Sequence, residues 1–137
     1  MKLDAMGKQR RNGFTLIELM ITVAVVAILT AIAYPAYTQF IIRSKRSAAQ
    51  AQMMDIATRQ QQFLIANRGY ADDTALANSG YTLPAEVASS YSFTVTVSSS
   101  SSGVPTYTLT FTPTGRQASD GNLTLTSEGV KSPANKW

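Results

Sequence analysis

The residues with the clearest chemical potential in this chain are one carboxylate and the basic residues that precede it. Glu18 lies inside an apolar run that begins at Phe14, and Arg10, Arg11 and Gly13 come just before that run. A charge at the centre of a membrane-spanning helix costs about 2.5–3.5 kcal/mol on insertion scales, so such residues are functional candidates. The chemistry open to Glu18 is pairing with a cation, supplied by this chain or by a neighbour.

Other reactive groups are scarce. The 137 residues include no Cys and no His, which excludes disulfides and thiolate metal sites and removes the commonest general base. The Ser98–Ser102 run has no base beside it, and the glycines form no phosphate-binding loop. Asp72 and Asp73 could suggest a cation, but without further ligands nearby an acidic turn in solvent is favoured. The sequence predicts no enzyme, no metal and no cofactor.

Basic residues are concentrated at the N-terminus. The net charge is +4, and residues 1–13 hold four Lys and Arg against Asp4. The high pI therefore mainly describes this tail. In the C-terminal part, Arg116, Lys131 and Lys136 could converge and contact phosphates of DNA. The competing interpretation is three separate side chains on a solvated face.

An apolar segment near the N-terminus is long enough to cross a membrane. No charged side chain occurs from Leu19 to Ile42, and a spanning helix needs roughly 20 mostly apolar residues. One interpretation is a secretory signal peptide with Ala31–Ala33 as its cleavage site before Tyr34. The other is a retained helix, favoured because the apolar run continues to Ile42 and because Glu18 interrupts its start.

The string GFTLIELM resembles the processing motif of type IV pilins and the related secretion pseudopilins. Here a basic leader ends at Gly13 and is followed by Phe14, Glu18 and an apolar helix. The resemblance implies that a prepilin peptidase cuts between Gly13 and Phe14 on the cytoplasmic face, and that Phe14 is N-methylated. Pro35 lies where many pilins have a proline that bends the helix.

Cleavage would give Glu18 a partner. A new α-amine at Phe14 would be largely protonated, because such amines titrate near pH ~8. The amine and the Glu18 carboxylate would each be costly alone in an apolar filament core, and pairing offsets that cost. The two groups could pair within one chain or between neighbouring subunits. We therefore expect Glu18 to act in subunit assembly, together with Pro35.

The helix is predicted to continue beyond the membrane. Residues 43–67 are rich in helix formers and contain no proline, and Asn67-Arg68-Gly69 is typical of a helix stop with Gly69 in a left-handed cap. A helix from Phe14 to Asn67 would be roughly 80 Å long, so half of it should protrude from a small domain. Apolar residues at helical spacing predict a face that packs on a sheet. They are Ala49, Met53, Ile56, Ala57, Phe63 and Leu64.

Downstream of the helix, residues 70–90 show no regular pattern and are predicted to form a loop. Strict alternation then predicts three strands, in YSFTVTV, TYTLTFT and NLTLT, with one buried face. Ser98–Gly103 is predicted to connect the first two strands, and Pro113–Gly121 the last two. The expected class is α+β, the type IV pilin fold, with a long helix on an antiparallel sheet of three to four strands. The predicted segments are a leader (1–13), a membrane half (14–42) and an amphipathic half (43–67) of the helix, and a head (68–137).

The head contains NRGYA after the helix and GNLTLTSEGVK followed by a terminal KW, and in these stretches it resembles PilE-like minor pilins. Many relatives have a disulfide there, and the two matching positions hold Asp120 and Lys136. The opposite charges could form an ion pair in place of the disulfide, or they could be two unrelated solvated side chains. Trp137 is then the remaining residue expected to anchor the C-terminus by burying its ring.

Together these features predict a structural subunit of a type IV pilus, most simply a minor pilin, serving motility, adhesion or DNA uptake. Its expected partners are other pilin subunits, the prepilin peptidase and the assembly machinery. It would reside in the bacterial inner membrane as a precursor and then in a cell-surface filament. The alternatives are a pseudopilin of a type II secretion system and a DNA-binding or adhesive module at the pilus tip.

Overall fold

The computed structural model describes residues 13–98 and 103–137, and these form two units, one ending at Thr38 and one comprising Gln39–Trp137. The predicted leader, apart from Gly13, and most of the serine run lie outside the described residues. The helices are α1 (Leu16–Asn67), α2 (Asp73–Asn78) and α3 (Ala85–Ala88), with short 3-10 helices at Gly115–Asp120 and Ala134–Lys136. The strands are β1 (Tyr91–Ser98), β2 (Thr106–Pro113), β3 (Leu123–Thr126) and β4 (Lys131–Ser132).

Helix α1 ends at Asn67, as predicted, but its cap differs from the prediction. Arg68 adopts the left-handed conformation, with φ of 57°, whereas Gly69 has no positive φ. The Arg68 N–H donates to Leu64 O at 2.9 Å, which satisfies one of the last helical carbonyls. The expectation that Gly69 forms the cap was wrong by one residue, because the left-handed conformation occurs at the first residue after the helix.

The segment between α1 and the sheet is more ordered than predicted, since it contains α2 and α3. Asp72 is the N-cap of α2, and its Oδ1 accepts from Ala75 N at 2.8 Å. Asp73 Oδ1 accepts from Val95 N on β1 at 2.7 Å. Both carboxylates are exposed and accept hydrogen bonds from backbone N–H groups. The expectation of an irregular loop was therefore wrong, whereas the acidic residues are solvated as expected. Helices of six and four residues are too short to show a helical period.

The four strands form one antiparallel sheet in the order β1-β2-β3-β4. Phe93 pairs with Phe111, which pairs in turn with Leu123, so the inward residues of three strands lie side by side. The alternation therefore identified the buried face correctly. The short strand β4 was not among the three that alternation located, because two residues show no period. The α+β class with a long N-terminal helix and an antiparallel sheet is confirmed.

The core of the second unit lies between α1 and the sheet. Ala49, Met53 and Ile56 are completely buried, as the predicted helix face requires, and Ala57 and Phe63 pack against the same cluster. Gln60 is also fully buried on this face. Its amide nitrogen donates to Ala71 O at 2.7 Å and its oxygen accepts from Ala71 N at 2.8 Å. This reciprocal pair ties the segment after α1 back to the helix without leaving a buried polar atom unpaired.

Candidate functional site

The two residues predicted to flank the processing site lie just before α1. Gly13 and Phe14 precede the helix, and the Phe14 side chain is 82% exposed. Thr15 accepts a hydrogen bond at Oγ1 from the Glu18 N–H at 3.3 Å, in the manner of an N-cap hydroxyl. The spacing Thr-x-x-Glu is that of a capping box, a signal that the sequence analysis did not use. Only the Thr15 half of the box is formed among the described residues, so Thr15 is the residue that helps to fix where the helix begins.

Glu18 has a free carboxylate within the described part of the chain. Its backbone takes part in two hydrogen bonds, since Thr22 Oγ1 donates to Glu18 O at 2.8 Å and Glu18 N donates to Thr15. No ion pair or side-chain hydrogen bond of Glu18 occurs among residues 13–98 and 103–137. A carboxylate placed in the first helical turn also lies where the helix dipole favours a negative charge.

The apolar part of α1 is suited to a bilayer. Within the described residues, one helix, α1, is long and apolar enough to cross a membrane. Its hydroxyls are satisfied locally: Thr30 Oγ1 donates to Val26 O at 2.7 Å and Thr38 Oγ1 to Pro35 O at 2.9 Å. Polar groups in the hydrocarbon core of a bilayer need such hydrogen bonds within the protein, because no water is available there. Pro35, which we expect to act in assembly, lies inside this helix.

A second cluster of polar residues joins α1 to the head around Asp120, which is only 5% exposed. Arg46 forms a bidentate ion pair with Asp120: its Nε donates to Oδ2 at 2.8 Å, and its Nη2 donates to Oδ1. Tyr91 Oη donates to Oδ2 at 3.0 Å, and Gln117 Nε2 lies 3.3 Å from the same oxygen. Lys136 Nζ is 3.7 Å from Asp120 Oδ1. We call these five residues the Asp120 cluster.

The cluster changes the acidity of its members. Burial alone would raise the pKa of Asp120, but hydrogen bonds from Arg46 and Tyr91, with the charges of Arg46 and Lys136, lower it below the ordinary value. Burial is also the main reason that the pKa of Tyr91 is raised to about 12. Asp120 is therefore an anion and Tyr91 a neutral donor across the physiological range.

The structure brings Asp120 and Lys136 together, but Lys136 is not the principal partner. Arg46 makes two direct hydrogen bonds with the carboxylate, whereas Lys136 approaches it without a hydrogen bond. Arg46, Tyr91 and Gln117 were not among the residues predicted for this site. Gln117 also donates to Ile42 O at 2.9 Å, so the cluster contacts both the backbone and a side chain of α1. Arg46 and Tyr91 are 74 and 29 residues from Asp120, so no local pattern could have identified them as its partners.

The three basic residues considered for DNA have different environments. Arg116 is exposed in the 3-10 helix after β2, and Lys131 is exposed on β4. Lys131 Nζ lies 4.8 Å from the centre of the Trp137 ring, a cation–π distance. Lys136 faces Asp120, which reduces its availability to an external anion. Trp137 is half-buried and packs against the core, so it is a less complete anchor than expected.

Two family models match this chain. Residues 35–126 match the model described as "Type IV minor pilin ComP, DNA uptake sequence receptor". Residues 8–34 match the model described as "Prokaryotic N-terminal methylation motif". The first match covers more than half of the chain and includes strands β1, β2 and β3, and the second includes Gly13, Phe14 and Glu18.

Curated proteins similar to this chain are pilins and fimbrial proteins. The type IV major pilin protein PilA of Myxococcus xanthus (strain DK1622) is 46% identical over 63 residues, which cover 46% of this chain and 29% of PilA. Fimbrial protein EcpC of Eikenella corrodens is 57% identical over 42 residues, covering 31% of this chain and 28% of EcpC. The type IV major fimbrial protein FimA of Dichelobacter nodosus is 47% identical over 51 residues, covering 37% and 33%. The matches thus span about a third or less of each relative. No solved structure matches.

Proposed function

The chain belongs to the type IV minor pilin family of the ComP model, and on that premise we propose that it is a minor subunit of a surface pilus that contacts DNA. The proposal that the chain is a pilus subunit rests mainly on one observation: a methylation motif is followed directly by a helix long enough to cross a membrane. Members of such a family are structural subunits, and the type II pseudopilin alternative has no comparable support from the matched head.

The proposal includes a maturation route. The leader, residues 1–13, is removed by a prepilin peptidase at the inner membrane, and Phe14 becomes the methylated N-terminus. The subunit then leaves the membrane and joins other pilins through the apolar part of α1. Support comes from Phe14, which is exposed and lies shortly before the first residue of α1, outside the helix. The assembly machinery supplies the work of extraction.

The mass of the mature N-terminal peptide tests this route. We expect Phe14 to be the first residue and its amine to carry one methyl group. Gly13→Ala should serve as a control, because changing the residue before the cut should leave the leader attached. A mature chain beginning at Tyr34 would instead indicate an ordinary secreted protein and would refute the proposal.

DNA is the second part of the proposal. The matched model is named for a DNA uptake sequence receptor, and Arg116 and Lys131 are exposed cations of the head. Cations that contact phosphates release counterions, so binding should weaken steeply with salt. Lys136 is a poorer candidate than the sequence analysis suggested, since its ammonium faces Asp120.

Anisotropy of labelled duplex DNA with the mature chain in detergent tests the DNA contact. The mature form is needed because the leader carries basic residues of its own. Arg116→Ala/Lys131→Ala should weaken binding about tenfold and reduce the salt slope by about 2, one for each phosphate contact. Lys136→Met is the matched variant and should leave the slope nearly unchanged. Absence of binding at low salt, or an equal slope in all variants, would contradict the proposal.

A further inference from the structure

The solvent face of the sheet has a composition that pilus assembly and DNA contact do not explain. Because inward residues alternate with outward ones, the outward positions follow from the register: four on β1, four on β2, two on β3 and one on β4. Every one of them is Ser or Thr. These eleven residues, which we call the hydroxyl face, are Ser92, Thr94, Thr96, Ser98, Thr106, Thr108, Thr110, Thr112, Thr124, Thr126 and Ser132.

The hydroxyl face is neutral and regular. An ordinary protein surface has roughly 25–35% charged residues, so about three of eleven positions would normally be charged. Edge strands in particular usually have Lys, which discourages pairing with other chains, and β1 has none. Outward residues such as Thr94 and Thr110 are paired across the sheet, where neighbouring strands lie about 4.8 Å apart, and successive outward residues of one strand are about 6.8 Å apart.

Most of these hydroxyls are available to a ligand. Among the described residues, only two of the eleven use the side-chain oxygen in a hydrogen bond. Ser92 Oγ donates to Thr112 O at 3.5 Å, and Thr126 Oγ1 accepts from Val130 N at 3.2 Å. A hydroxyl is both donor and acceptor, so the face offers a dense array of both. Each threonine also presents a methyl group beside its hydroxyl.

The chemistry of the face selects the kind of partner. It has no cation to neutralise phosphates, which disfavours nucleic acid. It has no aromatic or large apolar side chain to form a buried anchor, which disfavours a protein partner. A ligand that complements it must be neutral, must display many donors and acceptors, and must alternate them with C–H groups. Sugar rings in an extended polysaccharide have this composition.

We propose that the hydroxyl face binds a neutral polysaccharide presented as a flat, insoluble surface. Single hydrogen bonds in water contribute little, roughly 0.5–1.5 kcal/mol each, so binding requires many at once. The hydroxyl face, which extends over four strands, can form many hydrogen bonds at once, and none of them involves a charged group. This inference goes beyond the proposed function, and it holds for the purified chain whether or not the chain contacts DNA.

Co-sedimentation with insoluble cellulose, chitin and β-1,3-glucan tests the proposal, with the mature chain in a detergent that contains no sugar. We expect retention by at least one of the three that changes little between low and high salt. Thr94→Val/Thr108→Val/Thr110→Val keeps side-chain shape and strand preference but removes three hydroxyls, and should weaken retention about tenfold. The matched control, Thr74→Val/Thr82→Val/Thr114→Val, removes three hydroxyls outside the face and should bind normally.

The outcomes separate the alternatives. If the first triple variant loses stability, Ser92→Ala/Ser98→Ala/Thr112→Val repeats the test at other positions of the face. No retention on any of the three solids, or equal retention of both triple variants, overturns the proposal. Self-association that the face variant abolishes, without retention, would assign the face to a second copy of the chain and also overturn it. Retention that is lost at high salt would mean that the basic residues bind the solid, and it would overturn the proposal as well.

Discussion

Asp120→Asn is expected to destabilise the unit formed by Gln39–Trp137 by about 3 kcal/mol, the loss typical of breaking a buried ion pair. Asn has nearly the shape of Asp but is neutral, and its amide group would place a donor against the donors of Arg46. The Arg46 charge would then stay partly buried without its counter-ion, since its side chain is only 20% exposed. Urea unfolding of the full chain in detergent, followed by Trp137 fluorescence, measures the change.

A second ion pair, within α1, provides a matched control. Asp55 pairs with Arg59, and Arg59 Nε is 3.1 Å from Asp55 Oδ2, but both side chains are well exposed, at 46% and 39%. Asp55→Asn makes the same chemical change and should cost less than about 0.5 kcal/mol, as exposed pairs on helices do. Equal losses for the two variants would mean that burial of Asp120 is not the source of the effect.

Double-mutant cycles separate the two cations of the Asp120 cluster. We expect a coupling of about 2 kcal/mol between Asp120 and Arg46, measured with Arg46→Met, because this pair is two-pronged and mostly buried. Coupling to Lys136, measured with Lys136→Met, should be about 0.5 kcal/mol. A larger coupling to Lys136 would restore the simpler idea of one ion pair in place of the relatives' disulfide.

The same cluster predicts a pH dependence with a definite sign. The pKa of Asp120 is lower in the folded than in the unfolded chain, where it is about 3.9. The carboxylate therefore stabilises the fold above the unfolded value, and this contribution is lost as pH falls through the folded pKa. The stability difference between the natural chain and Asp120→Asn should be constant from pH 7 to about 5 and should shrink below pH 4. A difference that grew with acid would contradict the assignment.

The sequence was most informative where structure depends on a local period. Alternation identified the inward residues of β1, β2 and β3, and a helical period identified the buried face of α1, because side-chain direction repeats every 2 or 3.6 residues. The end of α1 was also predictable, although its left-handed residue was displaced to Arg68. Helices α2 and α3 were missed because they are shorter than two turns, although Asp72 before Asp-Thr-Ala-Leu is an N-cap signal.

The candidate sites also differ in whether a local sequence pattern could identify them. The N-terminal motif is contiguous, so Gly13, Phe14 and Glu18 could be named from sequence. The Asp120 cluster is not, since Arg46 and Asp120 are 74 residues apart and meet only because α1 packs beside the 3-10 helix. Lys136 was suggested by its position, which matches a disulfide cysteine of many relatives, and by its opposite charge. It is nearer to Asp120 in sequence but makes the longer contact. Choosing between two cations required the packing angle of the helix, which no local pattern encodes.

Glu18→Gln should reduce the incorporation of this subunit into pili about tenfold or more, while membrane insertion and processing continue. After cleavage, the Phe14 amine would be the partner of the carboxylate, and without Glu18 that cation would stand alone in the filament core. An uncompensated buried charge costs about 3–5 kcal/mol, and each 1.4 kcal/mol is tenfold in an equilibrium. The ratio of subunit in sheared pili to subunit in membranes, measured by quantitative mass spectrometry, reports incorporation.

Two variants distinguish a charge role from a structural one. Glu18 also occupies the capping-box position of α1, and Gln can fill that position without a charge. Glu18→Gln therefore removes the charge and keeps the cap, whereas Thr15→Ala removes the cap, at a cost of about 1 kcal/mol, and keeps the charge. If pairing with the amine is the role of Glu18, Thr15→Ala should enter pili almost normally and Glu18→Gln should not. The opposite result would make Glu18 a helix-start residue and would refute its role in assembly.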